Sequence, residues 1–277
     1  MAHNTRGGTP IRSQITRATA DSVHVHGLDL TELLGTVNLG DFAYLELFKR
    51  LPDESESVLI NALLVALVEH GVTPSVIATR MTIMGAPESL QGAVASGLLG
   101  LGDTFVGTIE GAAKICQSEL VDTGLIGPGL TDPVTDEQID EIARRIFREH
   151  REQKRPVAGL GHPVHKPLDP RAQRLFAIAR ERGFSDAGPR LMTRLSEIAR
   201  EETGRQLPVN VTGAIGSLAV TLGIPWNVTR GLGVMARSIG LVGHILEESQ
   251  TPMAGTIWTR TEAEAVEGDD EAGSPRI

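Results

Sequence analysis

Four segments of the chain, Val58 to Val68, Thr73 to Met84, Leu90 to Gly102 and Gly231 to Leu246, are apolar on nearly every face of a helix. Helices of that kind have no side to turn to water. They must be covered all round, at the centre of a large helical domain or at a subunit interface. Gly71 stops the first, and Thr73-Pro74 opens the second. Aromatic residues make up 3% of the chain, so few side chains are large enough to fill the gap between packed sheets. Closely packed helices follow. The one strand signal is Ser22 to Gly27, read as a short hairpin near the N-terminus.

Between about 130 and 205 the pattern becomes one-sided. Thr135 and Gln138 form a capping box ahead of Ile139, Ile142, Ala143, Ile146 and Phe147, with Arg144, Arg145 and Arg148 off that face. Asp169 and Pro170 supply a cap and a first-turn proline for a helix carrying Leu175 and Ile178, which Gly183 ends. Leu191, Leu195 and Ile198 repeat the pattern before Gly204. We therefore expect an all-α fold with a large helical domain over 1–128 and 208–277, into which a smaller helical domain over 129–207 is inserted. Residues 1–13 and the acidic stretch 261–277 are expected to be flexible tails.

Charge and cysteine content narrow the function classes. Lys and Arg total 26 against 35 Asp and Glu, a formal charge of -9, which argues against a broad phosphate-binding surface and so against a nucleic-acid partner. Cys116 is the only cysteine, which excludes an internal disulfide and suits a reducing compartment. The opening residues lack the apolar core of a signal peptide, and Val58 to Val68 is too short to span a bilayer. Gln206 to Thr229 is long and uncharged, but Pro208, Asn210, Pro225 and Asn227 make it a poor lipid-facing helix, so it is read as buried in protein. A cytoplasmic protein with no membrane partner is expected.

Polar residues inside apolar helices are the most informative, because each needs a partner. Arg237, in GLGVMARSIGLVGHIL, cannot lose its charge, and its partner is an internal carboxylate or a ligand. Arg80, in SVIATRMTIMG, poses the same question, and a structural pairing is expected there. His70 closes LINALLVALVEH. The densest group is GLGHPVHKPLDPRAQR, residues 159–174. Gly159 and Gly161 permit a tight turn, His162 follows, and Arg171 falls in the first turn of the next helix, where free N–H groups and a guanidinium converge on an anion. His162 and His165 lack the further His, Cys or carboxylate ligands of a metal site, so no metal is expected.

These residues resemble the citrate synthase superfamily over roughly 15–255. LVEHGVTPSVIATR, GLGHPVHKPLDPRAQ, NVTGAIG and ARSIGLVGHILEE are similar to four of its motifs, in the same order. The resemblance implies a nearly all-helical homodimer, or a higher homo-oligomer, whose small domain closes over a CoA thioester and a carboxylic acid. It also implies no tightly bound cofactor, coenzyme A arriving as part of substrate or product. By the same resemblance His70, Arg171 and Arg237 would bind substrate carboxylates. His162 would bond the oxygen at the carbon undergoing bond change, and the backbone of Gly161, Pro163 and Val164 would approach the coenzyme.

Two positions depart from the synthase pattern. Val106 stands where a histidine polarises the thioester carbonyl, and GDTFVGTIEGAAK is instead similar to the citryl-CoA lyase module of ATP-citrate lyase. Thr212 stands where the family has an aspartate that exchanges a proton with substrate, and a hydroxyl is no general base near neutral pH. The expected activity is cleavage of a CoA thioester related to citryl-CoA into an acyl-CoA and a 2-oxo acid, with His162 and Thr212 as the catalytic pair. The alternatives are a condensing enzyme, a thioester hydrolase, or a binding protein that has lost the chemistry.

Overall fold

A computed structural model describes residues 12–127, 133–161 and 168–267. They divide into two compact units at Asn61/Ala62. In the first, β1 (Thr16–Ala18), β2 (Val23–Val25) and β3 (Leu28–Asp29) form an antiparallel sheet in that order, Arg17 facing His24 and His24 facing Asp29. The expected hairpin is thus one half of a three-stranded meander. His26 and Gly27, both at positive φ, make the two-residue turn between β2 and β3. Asp29 caps α1 (Leu30–Leu33) and Asn38 caps α2 (Leu39–Phe48), each accepting a backbone N–H of the first turn. Val25, Leu33 and Leu45 form the small core of this unit.

Helix α3 (Glu54–Val68) leads into the second unit, which is wholly helical among its described residues apart from one isolated bridge, Leu160 to Val209. There α4 (Pro74–Gly85) packs on α5 (Leu90–Leu99), and α6 (Gly107–Cys116) runs into a π-helical turn over Gln117–Val121. The one-sided helices appear where their periodicity placed them, as α7 (Asp136–Glu152), α8 (Pro170–Glu181) and α9 (Ala187–Thr203). The capping box of α7 is complete, with Thr135 accepting from Gln138 N at 3.2 Å and Gln138 Oε1 accepting from Thr135 N at 2.9 Å.

Helix α10 (Val211–Thr221) is the axis of this unit. It packs on α6, α8 and α9, and nearly every residue from Val211 to Val220 is buried, as the uncharged run in the sequence required. The core around it joins Ala112, Cys116, Ile139, Ile146, Leu191, Leu195 and Val220. Helices α11 (Arg230–Gln250) and α12 (Ala254–Glu267) complete the unit against α4. Helix α12 continues past Arg260 to Glu267, where composition alone reads as the start of a tail. No described helix is long and apolar enough to cross a membrane.

Arg80 is fully buried and pairs with Glu248 Oε2 at 2.7 Å and with Glu247, the structural answer expected for it. Burial opposes its charge, but the two carboxylates outweigh that and raise its pKa.

Candidate active site

Residues from six stretches of the second unit line one cavity of about 470 Å³. Glu69 and His70 enter from just past the end of α3, and Arg237 from α11. Thr104, Phe105 and Val106 precede α6 and Thr108 lies in its first turn, Gly161 comes from the turn at residues 159–161, Arg171 from the first turn of α8, and Asn210 and Thr212 from the start of α10. Five sequence-predicted residues, His70, Gly161, Arg171, Thr212 and Arg237, are therefore brought together. His162, Pro163 and Val164 lie outside the described residues, as does His165.

The turn at residues 159–161 is held by backbone bonds to the segment that leads into α10. Gly159 and Gly161 sit at φ of 84° and 85°, a region only glycine adopts freely. Gly161 N donates to Pro208 O at 2.7 Å and Asn210 N to Gly159 O at 3.0 Å. A Cβ on Gly159 would stand 2.5 Å from Gly213 Cα, so the turn lies directly on the first turn of α10. Asn210 ties the pieces together. Its Nδ2 donates to Gly161 O at 2.8 Å, and its Oδ1 accepts from Gly213 N at 3.0 Å and from the Thr212 hydroxyl at 2.6 Å. Thr212 thus spends its hydrogen on an amide oxygen, and Thr108 Oγ1 donates to it at 2.9 Å. No carboxylate bonds either hydroxyl among the described residues.

Arg171 stands in the first turn of α8, as its spacing after Asp169-Pro170 required. Its Nε and Nη2 reach Asp169 Oδ1 and Oδ2 at 3.1 and 2.9 Å. Asp169 is fully buried and also accepts Arg171 N at 3.0 Å and Val211 N at 3.0 Å. Burial works against its charge, but the Arg171 side chain and the two backbone donors hold its carboxyl below the usual range. The sequence marks Asp169 only as a cap. In the fold it joins the starts of α8 and α10 and fixes the Arg171 guanidinium at the cavity.

Arg237 is 9% exposed, and its Nη1 is buried with no hydrogen-bond partner among the described residues. Burial lowers its pKa, and the charge of Glu69 opposes that shift. Arg230, which the sequence did not single out, donates to Asp103 at 2.6 Å and to Glu110 and so anchors the GDTF stretch, whose Thr104 and Phe105 line the cavity. A larger hollow of about 700 Å³ lies on α7, α8 and α9. Arg190 and Arg194 on its wall are engaged by Asp136 and Asp140, at 2.5 and 2.7 Å. No cluster of three or more His, Cys, Asp or Glu suited to a metal occurs among the described residues.

The pattern of the citrate synthase C-terminal domain matches residues 39–258. Citryl-CoA lyase from Hydrogenobacter thermophilus has a similar structure, with a TM-score of 0.75 and 30% identity, covering 87% of this chain and 88% of that one. ATP citrate lyase from Methanothrix soehngenii, solved with citrate and coenzyme A, shares the fold at a TM-score of 0.72 and 24% identity, over 89% of this chain and 40% of that one. A probable ATP-citrate synthase from Caenorhabditis elegans is 28% identical over 253 residues, 83% of this chain, and the match spans 21% of that relative's length. Every described cavity residue falls within the matched range, and the chain belongs to the citrate synthase family.

Proposed function

We propose that the protein is a carbon–carbon lyase acting on citryl-CoA or a related 3-hydroxyacyl-CoA, releasing an acyl-CoA and a 2-oxo acid. Arg237 carries this reading: a buried guanidinium in the cavity wall, with one nitrogen lacking an acceptor among the described residues, calls for an anionic ligand. Arg171 at the start of α8 and His70 supply further donors, so carboxylates are the chemistry the cavity suits. The likeness to citryl-CoA lyase, and Val106 in place of a histidine, favour cleavage over condensation.

In the cleavage the substrate hydroxyl gives up its proton and its C–O bond becomes a carbonyl. The bond to the thioester α-carbon breaks with its electron pair on that carbon, which then takes a proton as the acyl-CoA leaves. His162 is the base for the hydroxyl in this scheme. Thr212, held between Thr108 and Asn210, orients the reacting group, and the backbone of Gly161, Pro163 and Val164 meets the coenzyme, which enters as part of the substrate. Residues 129–207 are the smaller domain, which closes over the cavity with Gly161 and Arg171.

A homodimer or higher homo-oligomer accompanies this reading. Met235, Ile239, Val242 and Leu246 form an exposed stripe along α11, spaced by four, three and four, and Val65 and Leu99 are 71% and 86% exposed. Helices read as needing cover on every side thus keep uncovered apolar faces that a second copy would bury. Light scattering should give at least twice 29.5 kDa at micromolar concentration. The single buried cysteine suits a reducing compartment such as the cytoplasm.

The test of the lyase is incubation with citryl-CoA and related thioesters, with acyl-CoA and 2-oxo acid as expected products. Free CoA without an acyl-CoA would indicate hydrolysis instead. One observation favours a second reading, a binding protein without turnover: the Thr212 proton is committed to an amide oxygen with no base behind it. Thr212→Asp separates the two. Activity gained by a silent parent supports the second reading, and activity lost by an active one supports a changed mechanism.

A further inference from the structure

Helix α11 turns Arg237, Gly240 and His244, three and four residues apart, toward the chain that follows α3. At Gly240 a Cβ would stand 2.3 Å from Val68 O and 2.5 Å from Glu69 Oε1, so only glycine leaves room for the Glu69 carboxylate there. One turn on, His244 Nε2 lies 3.1 Å from Glu69 Oε2, and His244 Nδ1 lies 2.9 Å from Arg80 Nη2. Guanidinium nitrogens only donate. Nδ1 must therefore accept, which puts the ring hydrogen on Nε2 and directs it to Glu69. Arg80 cannot turn away, because Glu247 takes the other Nη2 hydrogen and Glu248 holds Nη1.

Glu69 is a carboxylate in the cavity wall, close enough to Arg237 for its charge to be felt there, yet Arg237 Nη1 makes no hydrogen bond among the described residues. A flexible carboxylate beside a buried guanidinium ordinarily closes on it. We infer that His244 is a positioning residue which, aligned by Arg80, clasps Glu69 away from Arg237 and keeps that guanidinium open for an acid ligand. This rests on the carboxylate-binding reading of the cavity. Without the clasp Glu69 becomes a competing internal anion.

Ring nitrogen NMR on the ligand-free protein and calorimetric titration with oxaloacetate and citrate test this. Nε2 of His244 should carry the hydrogen and Nδ1 should not. Asn at 244 reaches Arg80 but not Glu69, so His244→Asn should weaken acid binding about tenfold or more. His244→Gln, which can present a donor near the Nε2 position, should stay within about threefold of the parent, as should His244→Asn combined with Glu69→Gln, where no competing charge remains. That rescue is not the behaviour of a residue that merely supports the fold. Glu69→Gln alone should bind at least as well as the parent, and should decide the matter if His244→Asn does not fold. An Nδ1–H tautomer, unchanged binding in His244→Asn, failure of the double variant to recover, or loss of binding in Glu69→Gln would overturn the clasp. A parent that binds neither acid while keeping the Nε2–H form overturns the carboxylate reading first, and the role of the clasp with it.

Discussion

Replacing Asp169 by Asn tests the junction on which the site is built. The carboxylate is fully buried and accepts four N–H groups, Arg171 N and Nε on Oδ1 and Arg171 Nη2 and Val211 N on Oδ2. An amide of the same shape keeps one oxygen, so in either flip two donors face an NH2 group. The Arg171 guanidinium also loses its counter-charge. Breaking a buried pair from one side costs about 3–5 kcal/mol. For a chain of this length, at roughly 2.1 cal/mol/K of unfolding entropy per residue, that lowers Tm by about 5–9 °C. The folded-state pKa of Asp169 is depressed, so its stabilisation is complete above the unfolded carboxyl value near 3.8 and fades as pH falls from there through the lowered value. Parent and variant melting curves should therefore begin to converge as pH falls below about 4. Calorimetric melts at pH 7 and pH 3 measure both effects. A pH 7 Tm within about 1 °C of the parent would refute the claim that this carboxylate is desolvated and satisfied only by these donors.

Arg171→Ala should lose about 2–5 kcal/mol of acid binding by titration and, unlike a surface arginine, should also lower Tm, because it strands the buried Asp169. Arg171→Lys should recover binding only in part, since an ammonium cannot bond both carboxylate oxygens in one plane. Arg80→Ala should destabilise by about 3–5 kcal/mol in urea unfolding, because Glu248, which also accepts Met253 N and Ala254 N at the start of α12, is left buried without its cation. Cys116 is fully buried and its thiol is pushed up to about 12 by burial, so a disulfide reagent at pH 8 should react at the rate of unfolding and no faster.

What the sequence made legible were features set by neighbours along the chain. The capping box at Thr135, the Asp169-Pro170 start of α8 and the apolar faces of α7, α8 and α9 each depend on a handful of consecutive residues, and each is present in the fold. Arg237 and Arg80 were visible because a guanidinium inside an apolar helix demands an anion, and a structural pairing was expected for Arg80, but the sequence could not say which carboxylate supplies it. The one on Glu248 lies 168 residues away along the chain. Asp169 illustrates the same limit from the other side. An N-cap aspartate ordinarily faces water and is replaceable. This one is covered because α10 begins beside it, with Val211 N on its second oxygen, and a local cap becomes the part that aims Arg171. Glu69 and His244 were missed for a related reason: each is unremarkable in its own stretch of sequence, and their pairing depends on Gly240 letting the end of α3 approach α11. The residue types that bind acids could be listed from spacing and from the family resemblance. Which cations remain open to bind one follows from long-range pairing, because every internal carboxylate that reaches an arginine removes it from the set available to a ligand.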